Sequence, residues 1–470
     1  MNPVQNRSIS ASAGTGKTFR LAHRYIGLMA AGVAPDRICA LTFSRKAAGE
    51  IFDKIVEHLC AAVTEDVKRA QTAAMIAKEG LAAPSREDDY LRLLRGLLDH
   101  GHRLRIGTLD SFILGVVRAF PLELGVPPET QPMDNDGGEA AAARLSILTR
   151  LFDPRSSREE SRQEAFLSDF RMSQHGRETK RLLSVLNRLI MDYHAFYRTH
   201  GAQAWHWGDP ERIWPQADRW WETGPSDPPP DTLAESLRTV FGDASRPAQL
   251  GNRLAETATA ALSHAIDKPW PQWTDKASLQ LLQSAASPQP PTLVYYNKEY
   301  PLPQPLWDGV RFALCHAIDE EIKRALRQTQ GLRAVLARYD ESYAAAQTRD
   351  GHFTFEDLSR LLGSDNHAPS RVPDAANRLY IDYRLDGKLD HWLMDEFQDT
   401  SDTQWAALAN LVDEVIQDDA RSFFFVGDIK QSIYGWRGGN YRLFNEIREK
   451  YQGGGARAIV SESIQTCHRS

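Results

Sequence analysis

A glycine-rich stretch near the start of the chain carries residue types that bind phosphate. Residues 11–18 read ASAGTGKT, which fits the phosphate-loop pattern Gly-x-x-x-x-Gly-Lys-Ser/Thr except at the first position. Glycines let successive backbone N–H groups converge on an anion, and the helix that follows adds its positive N-terminal end. The lysine of such a loop bridges the β- and γ-phosphates, and the Ser/Thr hydroxyl is a ligand for Mg²⁺. The alternative is a glycine-rich turn of chance composition. The predicted nucleotide-binding residues are Ala11, Ser12, Ala13, Gly14, Thr15, Gly16, Lys17 and Thr18.

An acidic pair follows an apolar run much later in the chain, in LMDEFQDT at residues 393–400. A carboxylate at the end of a strand can hold Mg²⁺ beside a nucleotide, and Asp395 is the candidate for this role. Glu396 is the candidate for orienting and deprotonating an attacking water. A hydrolase needs such a base, so the pair favours hydrolysis over phosphate transfer to another acceptor. The alternative is an ordinary acidic strand-to-loop turn.

A third stretch, FFFVGDIKQSIYGWRG at residues 423–438, runs from an apolar segment into a polar loop. Gln431 at the end of a strand can hydrogen-bond a γ-phosphate. Exposed aromatic rings beside an arginine form a platform on which single-stranded bases stack, at about 1–3 kcal/mol for each base. The candidates are Tyr434, Trp436 and Arg437; the alternative is that the two aromatic rings are packed in the core.

The elements that must position these residues alternate between strand and helix at both ends of the chain. RSISAS, ICALT at 38–42 and the start of LRIGTLDSF at 104–112 are strand-like, and each leads towards a helix. Residues 126–372 are mostly helical in pattern, with proline-rich interruptions. Strand signals return at 391–396, 421–428 and 456–463. The simplest architecture is one parallel α/β domain built from both ends of the chain, with a large helical domain inserted.

Composition limits the classes of partner and compartment. The net charge is −6, from 56 Lys and Arg against 62 Asp and Glu, so any nucleic-acid path must be a local patch. The four cysteines are far apart and form no CxxC pair, which argues against a zinc site and a disulfide framework. There is no apolar run near the ~18 residues of a membrane span and no signal-peptide pattern. These features predict a cytoplasmic protein.

The ordered motifs ASAGTGKT, TFSRKAAGEI, GTLDSF, FTFEDL, DEFQDT and VGDIKQSIYGWRG resemble those of superfamily 1 helicases of the UvrD/Rep/PcrA type. The alanine at the start of the phosphate loop, the TLDSF motif and the large insertion are most similar to the RecB and AddA branch. The resemblance implies an α/β fold in which a RecA-like phosphate-loop NTPase sheet carries a large, mostly helical inserted domain. It also implies ATP and Mg²⁺ as cofactors, with Gln5 reading adenine.

The resemblance implies DNA contacts as well. Thr42 and Phe43 match a motif that touches single-stranded DNA. Asp110 stands where many relatives have histidine, and a carboxylate cannot contact a phosphate favourably, so Ser111 is the plausible contact in this motif. The segment that links the γ-phosphate to the DNA strand contains Tyr434, Trp436 and Arg437.

Family members have two RecA-like lobes with ATP between them. The resemblance implies that residues 1–122 and 372–450 form the first lobe, that 123–371 form the inserted domain, and that 451–470 begin the second lobe. Glu396 and Gln431 would act in catalysis, and Arg469 would be the first arginine that the second lobe directs at the γ-phosphate. The later motifs are absent from this sequence, and so is a nuclease domain.

The resemblance implies an ATP-dependent DNA helicase or translocase of recombination or repair, with an ATPase stimulated by single-stranded DNA. Its partners would be single-stranded DNA, junctions of single strands with duplex, and another component of a helicase–nuclease complex. The alternative is a truncated, non-motor module that binds ATP or DNA and needs a second lobe or a partner chain for activity.

Overall fold

The computed structural model of the chain describes thirteen stretches of residues. They are 4–12, 16–134, 137–151, 157–173, 181–201, 203–242, 248–266, 268, 270–363, 375–386, 389–432, 439–452 and 457–464. These residues divide into two compact units. The first contains the described residues up to 143 and those after 342, and the second contains the described residues from 144 to 342. The predicted domain boundaries at 122, 371 and 450 stay a prediction.

The described residues contain ten strands. They are β1 Arg7–Ala11, β2 Ile38–Thr42, β3 Arg105–Thr108, β4 Gln131–Met133, β5 Thr292–Tyr295, β6 Lys298–Pro301, β7 His352–Thr354, β8 His391–Met394, β9 Ser422–Gly427 and β10 Val460–Ile464. The strand predicted at 38–42 is confirmed residue for residue. The strand predicted at 456–463 is displaced towards the C-terminus.

Seventeen α-helices connect the strands within the described part of the chain. They are α1 Lys17–Ala30, α2 Arg45–Thr64, α3 Asp66–Lys78, α4 Glu87–Asp99, α5 Leu109–Ala119, α6 Gly138–Leu151, α7 Ser157–Ser173, α8 Leu182–His200, α9 Pro210–Ile213, α10 Leu233–Val240, α11 Ala248–Leu262, α12 Lys276–Ser284, α13 Gln304–Asp350, α14 Phe355–Leu362, α15 Ala375–Asp386, α16 Asp402–Gln417 and α17 Leu443–Lys450. None of them combines the length and apolarity needed to cross a membrane.

Six strands from both ends of the chain form one sheet in the order β10-β1-β9-β8-β2-β3, and every neighbouring pair is parallel. Parallel strands are covered by helices on both faces, which is why they appear in the sequence as continuous apolar runs. Every residue of β2, β8 and β9 is buried. The sheet and the large helical insertion confirm the predicted RecA-like α/β class.

Alternate side chains of the central strands fill two separate cores on the two faces of the sheet, as the two-residue period of a strand requires. Trp392, Phe423 and Phe425 pack in one core, with helices α5, α14 and α16. Leu393 and Phe424 pack in the other, with helices α1 and α2. The sheet is therefore held from both sides, and the chain segments that leave its carboxyl edge start from fixed positions.

Side-chain caps fix the start of three helices near that edge. Ser44 accepts a hydrogen bond from the backbone N–H of Ala47 and so caps α2. Thr108 with Ser111, and Ser401 with Gln404, form capping boxes at the starts of α5 and α16. Each helix thus begins within one to three residues of a strand or loop that carries a candidate site residue.

The second unit is mainly helical and has its own core. Phe241, Leu254, Trp307 and Leu314 are buried there among helices α10 to α13. The short hairpin β5–β6 turns at Tyr296–Asn297, where both residues have positive φ, as a tight hairpin turn requires. Three tryptophans contribute to the packing of this unit, since Trp207, Trp221 and Trp307 are buried.

Two glycines, Gly27 and Gly49, provide a matched test of how the helices of the first unit pack. A Cβ on Gly27 of α1 would lie 2.8 Å from Leu81 Cδ1 and 2.9 Å from Ile76 Cγ2, whereas a Cβ on Gly49 of α2 would meet nothing within 4 Å. We predict that Gly27→Ala lowers the free energy of unfolding by about 1–2 kcal/mol because of overpacking. Gly49→Ala should raise it by about 0.5–1 kcal/mol because alanine favours the helix. Urea denaturation of both variants measures the difference; equal effects would contradict the described packing of α1.

Candidate functional site

The candidate residues meet at the carboxyl edge of the parallel sheet, where ligands of such sheets bind. Ser12 follows β1, Phe43 follows β2, Asp395 and Glu396 follow β8, and Asp428 follows β9. Because β8 lies between β9 and β2, the acidic pair is central in this arrangement. Segments separated by several hundred residues in sequence thus form one site.

Lys17 and Thr18 begin α1 and face the acidic pair. The Lys17 side chain is only 8% exposed, and its Nζ lies 2.7 Å from Glu396 Oε2. The Thr18 hydroxyl donates to Asp395 Oδ2 at 3.0 Å. Gly16 precedes the helix with φ +83°, in the left-handed region that glycine adopts without strain. The two motifs predicted separately from the sequence are therefore in direct contact.

Asp395 is a buried residue held by three hydrogen bonds, two of which its carboxylate accepts. Its backbone N–H donates to the Leu41 carbonyl at 2.8 Å, and its Oδ1 accepts from the Glu396 N–H at 2.9 Å, in addition to the Thr18 contact. Burial, and then the neighbouring Glu396 charge, raises the pKa of Asp395 to about 6. A buried carboxylate next to a hydroxyl is a donor set that suits Mg²⁺. The residues present therefore fit the ion.

Glu396 has an unusual backbone. Its φ is +51°, in the left-handed region that non-glycine residues enter only at a cost of about 1–3 kcal/mol. This conformation turns the chain sharply after β8 and directs the glutamate side chain to Lys17, with about a third of the side chain exposed. The base candidate is thus partly accessible, whereas Asp395 is not.

Gln398 is a site residue that the sequence reasoning did not single out, although it belongs to the DEFQDT motif. Its Nε2 donates to Glu396 Oε2 at 2.7 Å, and its Oε1 accepts from the Asp428 N–H at 2.8 Å. Gln431 is close by, and its Nε2 donates to Asp428 Oδ2. In the sequence, Gln398 is only a polar residue of the DEFQDT motif. Its burial depends on the tertiary structure.

The residues predicted to touch DNA differ in how accessible they are. Thr42 is 2% exposed, and its hydroxyl has no hydrogen-bond partner among the described residues. Phe43 is half-buried. Ser111 is exposed, but its hydroxyl belongs to the capping box of α5: it accepts from the Thr108 N–H at 3.0 Å and donates to the Thr108 carbonyl at 2.7 Å. A small pocket adjoins Glu396; its lining residues are Leu41, Thr42, Phe43, Leu109, Met394, Asp395, Glu396, Thr400 and Gln404. DNA contact by these residues stays a prediction.

Asp110, the departure from the histidine of many relatives, is hydrogen-bonded within the protein. Its Oδ1 accepts a hydrogen bond from Gln404 Nε2 at 2.7 Å. Gln404 is also the capping-box residue of α16 and lines the pocket beside Glu396. The carboxylate thus joins the start of α5 to the start of α16.

Gln5, the predicted adenine reader, has an exposed side chain and a firmly held backbone. Arg24 Nη2 donates to the Gln5 carbonyl at 2.6 Å, and the Arg24 guanidinium lies 5.0 Å from the centre of the Phe424 ring. Burial lowers the pKa of Arg24 to about 10. The remaining predicted site residues lie outside the described residues, and their roles stay predictions; they are Ala13, Gly14, Thr15, Tyr434, Trp436, Arg437 and Arg469.

Asp399 provides a pH test of this buried acidic region. Burial, and then the Glu396 charge, raises its pKa to about 6, above the ordinary 3.8. The folded state therefore holds the proton more tightly than the unfolded chain, and stability falls as the pH rises between these two values. We predict that Asp399→Asn raises the urea midpoint at about pH 7.5 and that the gain shrinks below about pH 5. Asp53→Asn, at an exposed position, is the control; a gain for Asp399→Asn that is equal at both pH values would contradict this burial effect.

Comparison with known proteins identifies the family of the chain. Residues 2–452 match the family model of the UvrD/REP helicase N-terminal domain. The chain is also similar to a protein of Streptococcus equi subsp. zooepidemicus (strain H70) that is named as a subunit of an ATP-dependent helicase/nuclease, at 25% identity over 470 residues, 95% of this chain and 35% of that protein. The protein of the same name from Streptococcus thermophilus (strain ATCC BAA-250 / LMG 18311) is 24% identical over 467 residues, which cover 94% of this chain and 35% of that protein. This chain thus spans about a third of the length of these relatives.

The matched segment includes all six ordered motifs, and the relatives agree with the predicted resemblance to the RecB and AddA branch. Because the family model covers most of the chain, the chain belongs to the UvrD/REP helicase N-terminal domain family.

Proposed function

We propose that this chain is the ATP-hydrolysing N-terminal portion of an ATP-dependent DNA helicase or translocase of recombination or repair. The observation that supports the proposal most strongly is the 2.7 Å contact between Lys17 Nζ and Glu396 Oε2. It joins a phosphate-loop lysine to a carboxylate suited to act as a base, across 379 positions of sequence. The pair favours hydrolysis over binding alone, because a protein that only binds a nucleotide does not require a base beside its phosphate loop.

In this proposal, Lys17 also controls when Glu396 can act as a base. With the ammonium paired to it, the Glu396 carboxylate is partly neutralised and its Oε2 is occupied. The β- and γ-phosphates of ATP carry more negative charge than one carboxylate and would attract the Lys17 ammonium towards the loop. Glu396 is then released to accept a proton from the attacking water, so that arrival of the substrate activates the base.

Mg²⁺, held by the Thr18 hydroxyl and by Asp395, would neutralise charge that develops on the phosphates. Thr18 and Asp395 are held in mutual contact by the hydrogen bond between them, which keeps both oxygens on the same side of the site. Gln431 would bond the γ-phosphate, and Arg469 would approach it from the second lobe.

In this proposal, DNA binds at the carboxyl edge of the sheet. Thr42, Phe43 and Ser111 would contact the strand, with base stacking on Tyr434 and Trp436 and a charge contact from Arg437. The relatives are named as subunits of a helicase/nuclease. We therefore infer that the protein assembles with a partner subunit of such a complex, and that it acts on DNA in the cytoplasm.

Two substitutions test the nucleotide site. Lys17→Ala should weaken Mg-ATP binding by at least about 10-fold, because it removes a charged contact with the phosphates. Glu396→Gln should leave binding intact and slow hydrolysis by about 10²–10⁴-fold, so that ATP stays trapped. Binding of a fluorescent ATP analogue and single-turnover hydrolysis measure the two effects. The exposed substitutions Lys46→Ala and Glu446→Gln are matched controls; hydrolysis at the wild-type rate by Glu396→Gln would exclude Glu396 as the base.

A second test separates the motor from a non-motor ATP- or DNA-binding module. We predict that single-stranded DNA raises the rate of ATP hydrolysis and that Trp436→Ala weakens DNA binding by about 1–3 kcal/mol, through loss of one stacked base. Steady-state hydrolysis is measured over a range of oligonucleotide concentrations, with Glu396→Gln as the inactive control. Absence of stimulation at saturating DNA would favour the binding module.

A further inference from the structure

Gln398 is a buried amide two residues after the proposed base. Gln398 is only 1% exposed and lies in the short helical turn Phe397–Asp399. The turn is fixed by Phe397, whose ring is fully buried with its centre 4.8 Å from that of the Phe425 ring on β9. The backbone of Gln398 therefore has little freedom to move relative to the sheet.

Each end of the amide meets a group of the opposite hydrogen-bonding type. Nε2 donates to Glu396 Oε2 at 2.7 Å and to Asp399 Oδ2 at 3.2 Å, while Oε1 accepts from the Asp428 N–H at 2.8 Å. A flipped amide would place its oxygen against two carboxylates and its NH₂ group against an N–H donor. Only one orientation is compatible with these neighbours, and it directs a hydrogen-bond donor at the base.

The neighbouring strand leaves room for the amide. A Cβ on Gly427, the last residue of β9, would lie 2.5 Å from Gln398 Oε1, closer than real Cβ contacts occur. The glycine is needed here for close approach rather than for its backbone angles. The strand end and the amide are thus fitted to each other.

The same contacts connect two functional loops. Gln398 bonds the Asp428 backbone, the Asp428 carboxylate accepts from Gln431 Nε2, and its Oδ1 accepts from the Lys430 N–H at 3.0 Å. A continuous series of hydrogen bonds therefore runs from Glu396 through Gln398 and Asp428 to Gln431. Its two ends are the proposed base and the proposed γ-phosphate contact.

We propose that Gln398 is the positioning residue of the hydrolytic base, and that it ties the orientation of Glu396 to the loop that carries Gln431. The inference rests on the proposed function. When ATP draws the Lys17 ammonium away, Glu396 Oε2 keeps the Gln398 Nε2 contact, so that the carboxylate stays oriented at the moment when it becomes a free base. A shift of the Gln431 loop on binding the γ-phosphate would reach Glu396 through the same amide.

A double-mutant comparison with Glu396→Gln tests this role. Gln398→Met keeps the length and the burial of the side chain but removes its hydrogen bonds. We expect kcat to fall by about 10–100-fold while the ATP KM changes by less than about threefold, because orientation of the base matters only in the transition state. Gln417→Met, at an exposed position of α16, is the matched control and should keep wild-type kinetics.

The double variant Gln398→Met/Glu396→Gln separates positioning from a general loss of structure. If Gln398 acts through Glu396, the double variant hydrolyses ATP no more slowly than Glu396→Gln alone. Multiplication of the two single effects, or a wild-type kcat for Gln398→Met, would overturn the inference while leaving the proposed function intact. A wild-type protein that hydrolyses no ATP would overturn the proposed function itself.

Gly427→Ala is the second variant, for the case in which Gln398→Met does not fold. It displaces the amide by steric contact and leaves every hydrogen-bonding group in the chain. We expect the same fall in kcat with the same nonadditivity towards Glu396→Gln. A Gly427→Ala protein with the wild-type kcat would overturn the inference.

Discussion

The 2.7 Å ion pair between Lys17 and Glu396 joins segments from the two ends of the chain at the carboxyl edge of the sheet. A buried ammonium is costly unless a carboxylate compensates for its lost hydration. Lys17 is nearly buried because α1 packs on the sheet, and Glu396 can reach it because its left-handed backbone turns the chain after β8. The sheet order, the helix and the strained turn are all needed for this one contact.

The buried carboxylates of the site lower the stability of the folded protein. Burial raises the pKa of both Asp395 and Asp399 to about 6, and one oxygen of Asp399 has no partner among the described residues. A protein selected only for stability would neutralise or expose such groups, whereas a site that receives a cation needs their negative charge. The core on one face of the sheet is rich in aromatic side chains, and the core on the other face is mainly aliphatic. Together they stabilise the elements that carry this charge.

Much of the fold and the centre of the site could be predicted from local sequence. ICALT is a strand because five consecutive apolar or β-branched residues suit a sheet buried on both faces, and Ser44 marks the next helix by its capping oxygen. Lys17 and Thr18 were recognisable because phosphate and metal binding require those residue types where a glycine-rich loop enters a helix, and Asp395 and Glu396 because they follow an apolar strand. The limits of β10 were less certain, since the burial of an edge strand depends on its neighbour.

Other features needed the tertiary structure. In the sequence, Asp110 is only a departure from histidine; its hydrogen bond with Gln404, 294 positions away, depends on the fold. Gln398 is one polar residue of the DEFQDT motif, and its proposed role follows from its contacts with both Glu396 and Asp428. Local sequence determined the elements, the nucleotide-binding residue types and the family, because these depend on short-range spacing. Which amide orients the base, and which glycine makes room for it, was decided by the packing of β8 against β9, because hydrogen bonds and steric contacts between distant segments exist only once the sheet has formed.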